Sequence, residues 1–176
     1  MIVLIGASAS GKTEIAKILY KHFQYEKIIT TTTRPPRYGE VDGVDYHFLS
    51  KEGFNEILLT NGFVEVTKYQ DNLYGTQKKD VTENGLIILD PNGANAFIEH
   101  YKEACFVVFV KYSKKRREER MRLRGDQEES IKNRLKSDDK VFNTKNLHKV
   151  DCIIENIDQP LYDMAKAIHE AYTNKS

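Results

Sequence analysis

The sequence has no excess of either charge, almost no cysteine and no long apolar run, and each shortage removes a class of protein. Its 27 basic and 26 acidic side chains nearly cancel, so it lacks the single-sign field that holds a dedicated DNA-binding or acidic-membrane-binding protein to its partner. Any anion site must be local. The two cysteines, Cys105 and Cys152, lie beside apolar runs and show no metal-ligand spacing with histidine, so they are read as core thiols in a reducing compartment. The apolar stretch after Met1 ends at Gly6 with no basic segment before it, which is too short for a signal peptide or a transmembrane helix. A cytoplasmic protein is expected. With no repeat, low-complexity linker or proline-rich tail, the 176 residues are read as one domain.

What is present alternates. Short apolar runs at 2–5, 27–31, 86–89, 106–110 and 152–154 are rich in branched or aromatic residues and predict buried strands. Between them, Ile15, Ile18, Leu19 and Phe23 share one helical face, as do Leu161, Met164, Ala165, Ile168 and Ala171 near the C-terminus. Strand–helix alternation implies an α/β fold, a parallel sheet core flanked by helices. Two segments break the rhythm. Residues 34–79, punctuated by glycines, read as a small, mostly β lobe with strands near 46–49, 63–67 and 73–74. Residues 113–140 read as a solvated helical hairpin, with Ser113 capping the first helix, Gly125 ending it, and Asp126 with Glu129 at capping-box spacing for the second. The core is then 1–33, 80–112 and 141–176.

Gly6-Ala7-Ser8-Ala9-Ser10-Gly11-Lys12-Thr13 matches GxxxxGK[ST] between the first strand and an amphipathic helix, the context in which that motif binds nucleotide phosphates. The loop turns amide N–H groups around the phosphates of ATP, and the helix N-terminus adds partial positive charge. Lys12 is placed to neutralise β- and γ-phosphate oxygens, and the Thr13 hydroxyl to ligate Mg²⁺. Further on, Arg34 and Arg37 flank two prolines that stiffen the backbone, giving two planar guanidinium forks suited to a phosphate monoester; Tyr46 and Tyr74 can add phenolic donors.

The run Thr31-Thr32-Thr33-Arg34-Pro35-Pro36-Arg37-Tyr38-Gly39-Glu40-Val41-Asp42-Gly43-Val44-Asp45-Tyr46-His47-Phe48 resembles the guanylate kinase signature, and the likeness continues at Phe63-Val64-Glu65, Tyr74-Gly75-Thr76, Asp90 and Gly93. It implies a kinase that uses Mg²⁺ and ATP to phosphorylate GMP, with dGMP as a second candidate acceptor and no nucleic-acid or membrane partner. The resemblance places Arg34, Arg37, Tyr46 and Tyr74 around the GMP phosphate. It places Glu65 on guanine N1–H and the 2-amino group, with Thr30, Gly75 and Thr76 beside the base. Asp90 is the sole match to the family's two strand-end aspartates: its preceding leucine equates it with the first and Gly93 with the second, for the guanine or, through water, the metal. Lid arginines Arg120, Arg124 and Arg134 match those that reach the transferring phosphoryl, and Asn156 matches the adenine-contacting region.

Ala9 stands where the family often has glycine, a mild change if its φ is negative. Residues 111–124 carry eight basic side chains against two acidic ones, of which Lys114, Lys115 and Arg117 are read as solvated surface charges. The hairpin is expected to lack a core face and to move without nucleotide. Two other readings compete with a GMP kinase. One is a phosphate-loop kinase acting on a ribose bisphosphate, and the other a catalytically dead guanylate-kinase-like binding module. Glu65 argues against the former and intact Lys12 and Thr13 against the latter.

Overall fold

In the computed structural model, which describes residues 1–69 and 71–175, the chain runs through nine strands and six α-helices. The first strand, β1 (Ile2–Ile5), is buried along its whole length, so both of its faces must be covered. It lies at the centre of a five-stranded parallel sheet of order β2-β7-β1-β8-β9, the others being β2 (Glu26–Lys27), β7 (Gly85–Ile88), β8 (Phe106–Tyr112) and β9 (Cys152–Asn156). Ile2 and Leu4 face helices α1 (Lys12–Phe23) and α6 (Leu161–Thr173), meeting Ile15, Leu19, Met164 and Ile168. Val3 and Ile5 face the other way, toward Ala94 and Phe97 of α3 (Pro91–Tyr101). The alternation of side chains along a strand thus feeds two separate cores from one run of four residues.

The run at 27–31, expected to be one strand, is divided between two sheets. Glu26 and Lys27 pair with β7, whereas β3 (Thr31–Thr32) pairs with the lobe. The chain changes sheets at Ile28–Thr30, and the lobe begins three residues before the boundary read from the sequence. Its four-stranded sheet, β4-β3-β6-β5, adds β4 (His47–Phe48), β5 (Phe63–Tyr69) and β6 (Asn72–Gln77). The lobe also holds a helix the glycine punctuation concealed, α2 (Lys51–Leu59), capped by Ser50, whose hydroxyl accepts from Gly53 N–H at 3.1 Å. Phe54 of this helix stacks on Phe63 of β5, ring centroids 4.4 Å apart.

The hairpin consists of α4 (Lys114–Leu123) and α5 (Glu128–Val141), with Ser113 as the expected cap and Gly125 in the left-handed region at φ 86°. Two expectations about it fail. Asp126 does not cap α5; Gln127 occupies that position, and Asp126 instead binds Arg124 and Arg134. The hairpin also has a core: Met121, Ile131 and Leu135 are buried together, with Ala9 of the phosphate loop packed against them. Arg117, read as a surface charge, is buried between the helices and paired with Asp138 and Asp139. No helix among the described residues is long and apolar enough to cross a membrane.

Candidate active site

The phosphate loop leaves the C-terminal end of β1, where Gly6 passes so close to β8 that a Cβ would lie 2.4 Å from the Val110 carbonyl oxygen. Only glycine fits there. The loop ends at Gly11, φ 103°, which caps α1. Between them Ala9 adopts φ 61°, so the expectation of a mild substitution is corrected: alanine here holds a left-handed conformation that costs a non-glycine residue about 1–2 kcal/mol. Contact with the hairpin core helps to hold it. Lys12 turns back over the loop, its ammonium donating to the carbonyls of Gly6 at 2.5 Å and Ala7 at 2.8 Å and to the Ser10 hydroxyl at 3.3 Å. Burial pulls its pKa down to about 8, with Asp138 raising it and Arg117 lowering it further.

Alongside lies a cavity of about 370 Å³ lined by residues 9–14 with Arg120, Arg124 and Leu161. Arg120 is stacked over the Tyr112 ring at 4.3 Å. Arg124 and Arg134 are both drawn to Asp126, and Arg134 does not line the cavity. Asn156 is buried under the loop: its amide donates to Ser10 O at 3.1 Å and its carbonyl oxygen accepts from Asp158 N–H. Both ends of its amide are engaged, so it braces the phosphate loop instead of facing a base.

A second cavity, about 300 Å³, lies between the lobe and the end of β7 and is lined by Thr30, Tyr46, Glu65, Thr67, Tyr74, Ile88, Leu89, Asp90 and Gly93. Glu65 and Thr76 are cross-strand partners, and the Thr76 hydroxyl donates to Glu65 Oε1 at 2.7 Å. Thr76 therefore orients the carboxylate and is itself fully buried. Gly75 is a packing position, where a Cβ would lie 2.9 Å from the Glu65 carbonyl oxygen. Burial pushes the Glu65 carboxyl up, the Thr76 hydrogen bond pulls it back, and the charge of Asp90 raises it again. Asp90 caps α3 through Oδ1, which accepts from Gly93 N–H at 2.8 Å, and the residue lines the cavity at the strand end. Sequence reading missed Thr67, whose signal was only its alternation with Glu65 on β5.

Beside this cavity Arg34 packs over the rings of Tyr46 and Phe48, at 5.4 and 5.7 Å, and donates to Glu40 at 2.8 Å, with Tyr74 close enough to favour its charge. Glu40 also accepts from the backbone N–H of Arg37 at 2.7 Å, while the Arg37 side chain is exposed. Arg34, Tyr46 and Tyr74 are thus brought together; the guanidinium of Arg37 is not yet among them. A third cavity, about 310 Å³, shares Thr13 with the loop side and Thr30, Tyr46 and Ile88 with the lobe side. The loop-side and lobe-side cavities are therefore linked through this third one by shared lining residues.

A parallel α/β core with a phosphate loop, a hairpin over it and a second polar pocket across the cleft defines a phosphate-loop protein of the nucleotide-kinase type. The family model described as guanylate kinase matches residues 1–171. Guanylate kinases similar to the chain include that of Clostridium tetani, 35% identical over 150 residues, covering 81% of this chain and 72% of that one. Another is that of Prochlorococcus marinus, 39% identical over 143 residues and covering 77% of each. A crystal structure of guanylate kinase from Anaplasma phagocytophilum shares the fold, with a TM-score of 0.65 at 21% identity, over 99% of this chain and 85% of that one. The chain belongs to the guanylate kinase family.

Proposed function

We propose that this protein transfers the γ-phosphoryl of ATP to GMP, giving ADP and GDP. The observation that carries the reading is the set of linked cavities: a phosphate loop with Lys12 at one end, and Glu65 oriented by Thr76 with the Arg34, Tyr46 and Tyr74 cluster at the other. In-line transfer through a loose transition state asks mainly for positioning and positive charge. Arg34 and the two tyrosines hold the GMP phosphate, and Arg37 swings in from solvent to complete the fork. Glu65 accepts from N1–H and the 2-amino group of guanine, a pattern adenine cannot offer. Lys12 supplies charge at the transferring phosphoryl, and Arg120, Arg124 and Arg134 join it when the hairpin closes and excludes water.

Thr13 opens α1 on the donor cavity with its side chain exposed, and a single hydroxyl suits Mg²⁺, which keeps most of its waters and arrives on the nucleotide phosphates. When bound there it neutralises phosphate charge. Asp90 is a further candidate to reach its water shell. A ribose bisphosphate acceptor would leave Glu65 with no partner beyond Thr76, and a binding-only module has no use for Lys12 and Thr13 beside a loop cavity. Coupled measurement of ADP formation with GMP, dGMP, AMP and ribose phosphates separates these. Turnover confined to the guanine nucleotides is expected; turnover with ribose phosphates, or none with any acceptor, would overturn the reading.

A further inference from the structure

Helix α5 brings a carboxylate onto the phosphate loop from above. Oδ2 of Asp138 accepts from the Ser8 backbone N–H at 2.6 Å, across 130 residues of sequence. An anion on a phosphate-loop amide occupies the kind of position a phosphate oxygen takes. Next to it is Arg117, whose side chain is only 5% exposed. Arg117 Nη2 is bonded to Asp139 at 2.5 Å, but Nη1 stops 3.7 Å from Asp138 Oδ2, and neither Nε nor Nη1 has a hydrogen-bond partner among the described residues. Vacant donors on a buried guanidinium are costly, and their natural acceptor is the carboxylate that is bonded to Ser8 instead. A cavity of about 440 Å³ lined by Ala7, Arg117, Asp138 and Phe142 leaves room for that carboxylate to turn.

We propose that Asp138 is a positioning residue of the donor site, holding the Ser8 amide in the ligand-free loop and yielding it to the terminal phosphate of the nucleotide by turning onto Arg117. The exchange replaces one charge-assisted hydrogen bond on the loop by one on the guanidinium, at Nη1–H, which already lies 3.7 Å from the carboxylate, so it is balanced in bonds made and broken. It also removes a negative charge from the place where the phosphate arrives. Lys12 lies within the field of both groups, raised by Asp138 and lowered by Arg117. Moving the carboxylate therefore changes the environment of the loop lysine at the moment phosphate is bound. Because Asp138 is on α5, occupancy of the loop is transmitted directly to the hairpin that carries Arg120, Arg124 and Arg134.

The inference rests on the donor half of the function proposed above, and it is tested by binding, without turnover. Calorimetric affinities for ADP and AMP are measured on the full chain, wild type and variants. Asp138→Asn keeps the shape and removes the competing charge, so ADP binding tightens by about 5–10-fold while AMP, which lacks the phosphates that reach the far end of the loop, is unchanged. Arg117→Met removes the receiving donors and weakens ADP binding by a comparable factor. In the double variant R117M/D138N, which removes both buried charges and so remains foldable if the single carboxylate change does not, the penalty from Arg117→Met disappears. A residue that merely braces the loop gives the opposite pattern. Weaker or unaltered ADP binding in D138N, parallel shifts for ADP and AMP, or an Arg117→Met penalty of equal size with and without Asp138 would each overturn the exchange. Absence of ADP binding by the wild type would overturn the donor site itself.

Discussion

At the scale of single residues, two half-buried ionisable groups, Glu65 and Lys12, face the cleft. In the function proposed above Glu65 must be ionised to accept two hydrogen bonds from guanine, yet burial and the charge of Asp90 raise its pKa. The KM for GMP should therefore climb as pH falls, beginning at a higher pH than an ordinary carboxylate would give, because protonation through the raised pKa replaces an acceptor by a donor. Glu65→Gln should cut kcat/KM for GMP by about 10–150-fold, the equivalent of roughly 1.5–3 kcal/mol for charged hydrogen bonds. It should also abolish that acid limb; a steady-state pH profile that keeps the limb in the variant would remove Glu65 from base recognition. Lys12 shows the reverse shift, with its pKa lowered to about 8 in the ligand-free protein, chiefly by burial. Phosphate contact favours the charged form and lifts it again, so ADP binding at pH 8 should take up about half a proton, and at pH 6, where Lys12 is already charged, almost none from this source. Calorimetry in buffers of different ionisation enthalpy measures the uptake, and Lys12→Met should eliminate it.

At the scale of elements, the phosphate loop and the hairpin form one packed unit through Ala9. Ala9→Gly relieves about 1–2 kcal/mol of left-handed strain, but it frees the unfolded backbone by about 0.4–1 kcal/mol and withdraws a methyl group worth about 0.8 kcal/mol. Global stability by denaturant titration should therefore stay within about 1 kcal/mol of the wild type. Amides of α4 and α5 should nevertheless exchange faster, because their contact with the loop is lost. Unchanged protection there would mean that Ala9 does not couple the two. The strained alanine marks the limit of what the sequence discloses. The phosphate loop, the β1 and β8 strands, and helices α1 and α6 were legible because their signals are local: a fixed spacing, a four-residue apolar run, a period of 3.6. The Ile28–Thr30 sheet change was not, since an uninterrupted apolar run carries no mark of which sheet its ends will join. Helix α2 was masked by Gly53 and Gly62, although Ser50 and Phe54 carried its cap and its buried contact. The hairpin core hung on three apolar residues scattered through a charged segment, and the burial of Arg117 on a partner twenty-one residues away. Tyr46, Glu65, Tyr74 and Asp90, which the structure brings to one cavity, are singled out by the run at 31–48 and its continuations, but the supporting contacts of Thr76, Gly75 and Asn156 depend on cross-strand and cross-loop packing that no spacing records.

At the scale of the whole molecule, polar ties that join the lobe to the core include one made by Lys27 and one made by His47. Lys27, at the edge of the core sheet, donates to the carbonyl oxygens of Val44 at 2.7 Å and Asp45 at 3.2 Å. Those residues immediately precede Tyr46, which lines the acceptor cavity and lies under Arg34. The tie therefore sets the height of the Arg34, Tyr46 and Tyr74 cluster above the core without touching the cluster itself. His47, on the next residue along, faces Asp80 at 3.3 Å at the point where the chain returns from lobe to core. Since Lys27 is exposed, the screened contact is worth about 1 kcal/mol, or roughly fivefold in an equilibrium. Lys27→Met should raise the KM for GMP by about that factor, because binding must then also order the 42–46 loop, while the affinity for ADP stays as it was. The difference between wild type and variant should shrink as ionic strength rises, because salt screens the Lys27 contact. Equal losses in GMP and ADP binding would mean that Lys27 stabilises the molecule generally and that the lobe is not held by this contact.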